Sequence, residues 1–220
     1  MDYALNDSIA TFHIDDGKAN AVSHSFLDEI NLHLDRAEKE AKAIILRGRD
    51  GMFSAGFDLG EFKKGPEATI ALVRRGFELL VKLYSYPLPV VAACSGHGVA
   101  MGAFILLAAD SRIGVDGNFR ISLPETAIGM DLPPILVALA ASRLSRRHLT
   151  RATIQSEVYS PEAAIDAGFL DEVVAADALD ASALAAASKL AELPGEFYAK
   201  NKLATRADAL KVMQANLDDY

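Results

Sequence analysis

The stretch Val90-Val91-Ala92-Ala93-Cys94-Ser95-Gly96-His97-Gly98-Val99-Ala100-Met101-Gly102 runs from a short apolar segment, through a glycine-bearing loop, into a second apolar segment that reaches Ala109. Pro87-Leu88-Pro89 breaks whatever helix precedes it, so residues 90–93 start fresh as a buried strand. The segment after the loop is apolar on every side and suits a buried helix through Leu107. A further strand follows at residues 112–115. Strand, glycine loop, helix and strand in that order describe an α/β fold whose helices cover parallel sheets.

Working outward, the same alternation recurs. Upstream, Ile9–Ile14 reads as a strand closed by the turn Asp15-Asp16-Gly17, and Ser25 with Asp28 and Glu29 reads as a helix start. Phe26, Ile30, Leu34 and Ala37 then recur at helical spacing to Glu40. Residues 43–46 form another buried strand, residues 54–60 a loop with glycines, and residues 67–84 a helix. Downstream, Ser160-Pro161-Glu162 offers an N-cap with proline at the first helical position, and Gly168 a stop. Residues 170–174 are one more strand. Alanine-rich helices fill residues 178–193 and the chain from 196 onward. No sequence repeat or low-complexity linker interrupts this order, so residues 1–193 are expected to form one core, with 194–220 as a C-terminal helical segment.

The chain has 220 residues, 51% hydrophobic and 24% charged, which suits one folded domain and excludes global disorder. Thirty acidic against 22 basic residues leave a net charge of -8, unlike the basic face of a general nucleic-acid binder. Cys94 is the single cysteine, so the chain contains neither an internal disulfide nor a cysteine zinc site, and a reducing, cytoplasmic setting is expected. The first seven residues lack the basic region of a secretory signal, and the apolar runs are too short to span a membrane.

Several nucleotide and hydrolase motifs fail on spacing. Gly96, Gly98 and Gly102 are one residue too far apart for the dinucleotide fingerprint, and no Gly-Lys-Ser or Gly-Lys-Thr exists. Neither Ser54 nor Ser95 has the flanking glycines of a nucleophile elbow. The five histidines are scattered, so no metal site is expected. What remains is a pair of loops, Phe53-Ser54-Ala55-Gly56-Phe57-Asp58-Leu59 and the loop entering the helix at Met101, each offering backbone N–H groups just beyond a buried strand. Two such amides together can hold a carbonyl oxygen as it gains charge.

These two loops, with Ala109-Asp110-Ser111-Arg112 and Leu123-Pro124-Glu125, resemble the enoyl-CoA hydratase/isomerase (crotonase) family in order and spacing. The resemblance implies a spiral of ββα units followed by helices, assembled as a homotrimer or a dimer of trimers. It implies an acyl-CoA thioester as substrate, with coenzyme A part of that substrate and no separate cofactor. The two oxyanion amides would be those of Phe57 and Met101. Phe57, Asp58, Leu59 and Gly60 would contact the CoA. Lys18, Lys63, Lys64, Lys200 and Lys202 are candidates for its phosphates. At 220 residues the chain is short for the family, and the shortfall is expected in the C-terminal helices.

The departures sharpen the expectation. Ala100-Met101-Gly102 stands where the family commonly has three glycines, and a glycine-only conformation at Met101 would strain it. The first of the two hydratase glutamates aligns with Phe104; the second aligns with Glu125. One remaining carboxylate suits a proton shuttle between two carbons, so the resemblance implies a Δ3–Δ2 enoyl-CoA isomerase with Glu125 as acid/base. The alternatives are a hydratase in which Asp131 or another residue replaces the missing glutamate, and a CoA-thioester-binding protein without turnover. Asp131 is equally suited to capping a helix at Pro133.

Overall fold

A computed structural model describes residues 1–219. Two sheets organise the chain. The larger has six strands in the order β1 (Asp2–Asn6), β2 (Ile9–Ile14), β3 (Ala43–Gly48), β5 (Val90–Cys94), β7 (Ser111–Val115) and β9 (Glu172–Val174); β1 is antiparallel to β2 and the remaining pairs are parallel. The smaller sheet contains β4 (Gly51–Ser54), β6 (Gly96–Val99) and β8 (Ile121–Ser122), also parallel.

From β3 onward successive strands alternate between the sheets, and each pair is followed by helix. β3 and β4 lead to α2 (Leu59–Phe62) and α3 (Pro66–Tyr84); β5 and β6 lead to α4 (Met101–Ala108); β7 and β8 lead to α5 (Pro134–Arg143). This is the spiral of ββα units that the resemblance implied, a structural repeat with no sequence repeat behind it. The remaining helices are α1 (His24–Glu40), α6 (Arg146–Thr153), α7 (Pro161–Ala167), α8 (Leu179–Ala191) and α9 (Gly195–Ala215).

Both faces of the large sheet are buried, which explains why its strands read as continuous apolar runs. Ile44, Leu46, Val90 and Ala92 belong to the main core, whereas their neighbours Ile45, Val91 and Ala93 pack with Leu179, Ala183 and Ala187 of α8. The alanines of α8 let that helix lie close to the sheet. Capping follows the sequence at α7, where Ser160 Oγ accepts from Ala163 N and Gly168 ends the helix at φ 94°. At α1 the cap is Ser23, accepting from Phe26 N, two residues before the expected start.

Several elements depart from the expectation. β1 pairs through a tight turn at Asp7 and Ser8, both at positive φ, and its exposure on an edge leaves it no apolar alternation to read. β4 and β6 occupy parts of the segments expected as loops. Their glycines reflect close backbone approach: a Cβ on Gly96 would lie 2.0 Å from the carbonyl carbon of Gly51. Helix α5 was anticipated only as one option at Pro133, and α6 was not anticipated.

Helix α9 is fixed to this core by buried charge. Asp110 accepts from Lys202 Nζ at 2.6 Å, Arg206 at 2.7 Å and the Val90 N–H at 2.8 Å. Lys202 also donates to the carbonyls of Tyr86 and Leu88, and Arg206 to that of Tyr84. Among the described residues no helix is long and apolar enough to cross a membrane, and no cluster of metal-ligating side chains is found.

Candidate active site

Helices α3, α4 and α5 and the loops after β2, β4, β6 and β8 enclose a cavity of about 510 Å³. Its walls are mainly apolar, with Phe57, Phe62, Phe77, Met101, Phe104 and Leu136 among them, and Glu125 and Asp131 are carboxylates on its lining.

The strand ends bring the two expected amides to this cavity. Phe57 bridges Val22 in parallel fashion: the Val22 N–H donates to Gly56 O at 2.8 Å, and the Asp58 N–H donates to Val22 O at 3.1 Å. That pattern uses the groups on either side of Phe57 and turns its own N–H away from Val22. Met101 opens α4, where the first N–H groups have no intrahelical acceptor. Among the described residues, no carbonyl accepts from either N–H. Gly56 sets their separation. It sits at φ 97°, and a Cβ there would lie 2.9 Å from the Ala100 side chain and 3.4 Å from Met101 N.

The strain expected at Met101 falls one residue earlier. Ala100 has φ 52° and ψ -125°, while Met101 is the first helical residue and is buried. Of these two residues Ala100 alone carries the penalty of a non-glycine at positive φ, roughly 1–3 kcal/mol. Ala100→Gly is expected to relieve it, less the extra chain entropy of glycine, for a net gain of about 1 kcal/mol. In a chain of this size that raises Tm by about 2–4 °C, measurable by thermal unfolding.

Glu125 heads the turn Thr126–Ile128, and its carbonyl accepts from Ile128 N and Met130 N at 3.2 and 2.8 Å. The residue is only 6% exposed, and its Oε2 is buried without a hydrogen-bond partner. Burial pushes the carboxyl up to about 7, opposed by a hydrogen bond from its own backbone N–H. Phe104, fully buried in α4, lines the same cavity as a ring where a second carboxylate would be required. Asp131 lies exposed on the cavity lining. It does not cap α5, whose N-cap position is taken by Pro133.

Asp58 and Leu59 lie on the lining as well, and Gly60 just beyond it. Asp58 Oδ1 accepts from Gly60 N at 2.8 Å, capping α2, while the Leu59 side chain is exposed. Of the candidate lysines, Lys202 is excluded from any phosphate by its burial against Asp110. Lys64 and Lys200 pair with Glu61 and Glu196, and Lys18 and Lys63 are exposed.

Two supporting residues were missed in the sequence reading. Asn20, fully buried, donates to the carbonyls of Ile14, Met52 and Phe53, and its own carbonyl accepts from Ser54 Oγ, so it holds β4 in place just before Gly56. Gly76 of α3 leaves room for the Phe57 ring: a Cβ there would lie 2.5 Å from it. Only an Asp-Gly turn followed by Asn20 hinted at the first, and a helical glycine at the second.

The sequence model of the enoyl-CoA hydratase/isomerase family matches residues 4–218. A probable enoyl-CoA hydratase of Bacillus subtilis is 34% identical over 58% of this chain, a match spanning half of that protein's length. An enoyl-CoA hydratase/isomerase family protein from Pseudomonas syringae superposes with a TM-score of 0.96 at 40% identity, covering 99% of this chain and 94% of that one. Human mitochondrial delta3-delta2-enoyl-CoA isomerase superposes with a TM-score of 0.91 at 27% identity, covering 96% and 84%. A family match running almost end to end, on a spiral of ββα units with an apolar cavity where the family's motifs converge, makes this chain a member of the enoyl-CoA hydratase/isomerase family, enzymes of acyl-CoA thioesters.

Proposed function

We propose that the protein is a Δ3–Δ2 enoyl-CoA isomerase in which Glu125 is the single acid/base. The observation that carries this reading is one buried carboxylate with an unpartnered oxygen, on the lining of a cavity where Phe104 stands in place of a second. Water addition needs groups to position the water and deliver its protons. A 1,3-proton shift needs one base that returns the proton it removes.

In this mechanism the Glu125 carboxylate takes a proton from C2 of a 3-enoyl thioester. The electron pair of that C–H bond moves toward the thioester carbonyl, giving a dienolate whose oxygen accepts from the N–H groups of Phe57 and Met101. The now neutral Glu125 gives the proton to C4, and the double bond comes to rest between C2 and C3. An elevated carboxyl pKa brings the base close to neutrality, where proton transfer in both directions is efficient. The acyl chain lies among the aromatic and aliphatic walls, and the CoA passes Phe57, Asp58, Leu59 and Gly60. No separate cofactor takes part. The enzyme works as a homotrimer or dimer of trimers in the cytoplasm, a setting that suits its one unpaired thiol, Cys94.

Asp131 on the cavity lining favours a second reading, a hydratase in which it supplies the missing carboxylate. Product analysis separates the two. Given a 3-enoyl-CoA, the protein is expected to yield the conjugated 2-enoyl-CoA; given a 2-enoyl-CoA and water, it is expected to yield little 3-hydroxyacyl-CoA. Rapid hydration, lost on Asp131→Asn, would establish the hydratase, and acyl-CoA binding with neither product would establish a binding protein.

A further inference from the structure

A second cavity, of about 440 Å³, lies between α9, the end of α5 and the chain entering α9, and shares no lining residue with the acyl cavity. Three cations, Arg143, Lys202 and Arg206, line it against one carboxylate, Asp110. Asp110 is already taken up by Lys202, Arg206, the Val90 N–H and the Tyr198 hydroxyl. Lys202 has spent all three of its donors on Asp110 and two carbonyls. Arg112, whose charge also acts on Arg143, is paired with Asp171.

Arg143 is left over. It donates once, to Ala109 O at 2.9 Å, its Nε is buried without an acceptor, and no carboxylate lies within ion-pair distance among the described residues. Burial, with Arg112 and Arg206 nearby, pushes its pKa down to about 10 against the weaker opposing pull of Tyr84 and Asp171, so it stays charged at neutral pH. Beside this charge the wall turns apolar, with Leu193 and Phe197 exposed at 49% and 62% alongside Pro194.

We infer that this cavity binds a small organic monocarboxylate, its head on Arg143 and its apolar body against Leu193, Pro194 and Phe197. Of the three cations only Arg143 has no carboxylate within ion-pair distance among the described residues, and its planar guanidinium matches the head of one carboxylate. The apolar wall selects a short alkyl or aryl acid over a bare inorganic ion.

Calorimetric titration of the full chain with octanoate tests this, with 1-octanol and inorganic phosphate in parallel. Octanoate is expected to bind, with octanol and phosphate each weaker by roughly tenfold or more, the worth of a charge-assisted hydrogen bond. Arg143→Gln is expected to weaken octanoate by a similar factor. Because Arg143 also holds Ala109, Thr205→Glu on the exposed side of α9 provides a second variant: it places a carboxylate in the cavity and is expected to block octanoate while leaving acyl-CoA turnover unchanged. Equal binding of octanol, or octanoate binding that survives Thr205→Glu and so belongs to the acyl cavity, would overturn the proposal. So would an absence of binding coupled to loss of the oligomer in either variant, which would assign Arg143 to an acid of a second copy. None of these outcomes depends on which acyl-CoA reaction the enzyme performs.

Discussion

Glu125→Gln is expected to lower turnover of a 3-enoyl-CoA by roughly 10²–10⁴-fold, the usual contribution of a positioned general base. The substitution keeps shape and burial and removes only the proton exchange, so acyl-CoA binding should persist. Stability should move the other way. The carboxyl titrates near 7 in the folded chain against an ordinary value of 4.5, so the folded state binds its proton more tightly than the unfolded state. The stability this group contributes is fully present below about pH 4.5 and is lost as pH rises through about 7. Above that the wild type bears a cost of about 3 kcal/mol that the glutamine variant avoids. Urea unfolding at pH 5 and pH 8 should therefore find the variant's advantage growing with pH. In the wild type, kcat/KM should rise tenfold per pH unit below about 7 and level off above it. A flat profile across that range, or a variant with full activity, would remove Glu125 from the chemistry.

Met101→Pro is the second large effect. Met101 is the first residue of α4, a position where proline fits the helix and removes only an N–H that has no intrahelical acceptor. Met101→Ala serves as its reference, since both lose the methionine side chain and only proline loses the donor. If this N–H stabilises the dienolate oxygen, the proline variant should fall roughly 10²–10³-fold below the alanine variant in kcat, equivalent to about 2.7–4 kcal/mol. Circular dichroism should show α4 intact in both. Equal rates would mean that the charge is held elsewhere.

Much of the architecture was legible because burial leaves a periodic trace. The large-sheet strands at 43–46 and 90–93 are apolar on both faces, and helix α7 carries its serine cap, proline and terminal glycine in plain order. The elements that escaped lack such traces. β1 is an exposed edge, β4 and β6 are held by backbone approach at glycines, and α6 follows α5 across only Leu144 and Ser145, without a glycine between them. Motif order also singled out Phe57, Met101, Phe104 and Glu125, which line one cavity. Lys202 was misread as a candidate for a phosphate because its partner, Asp110, lies 92 residues away.

By itself the sequence determined the alternation of strand and helix, the family, and which residues carry amides or carboxylates into the motifs. Those properties depend on local pattern and on order along the chain. Only the tertiary structure decided that strain rests on Ala100 rather than Met101, that Glu125 is buried with an unpartnered oxygen, and that Arg143 is left without an anion. Each of these depends on what distant segments place beside a group, because desolvation and pairing are properties of a surrounding and not of a residue.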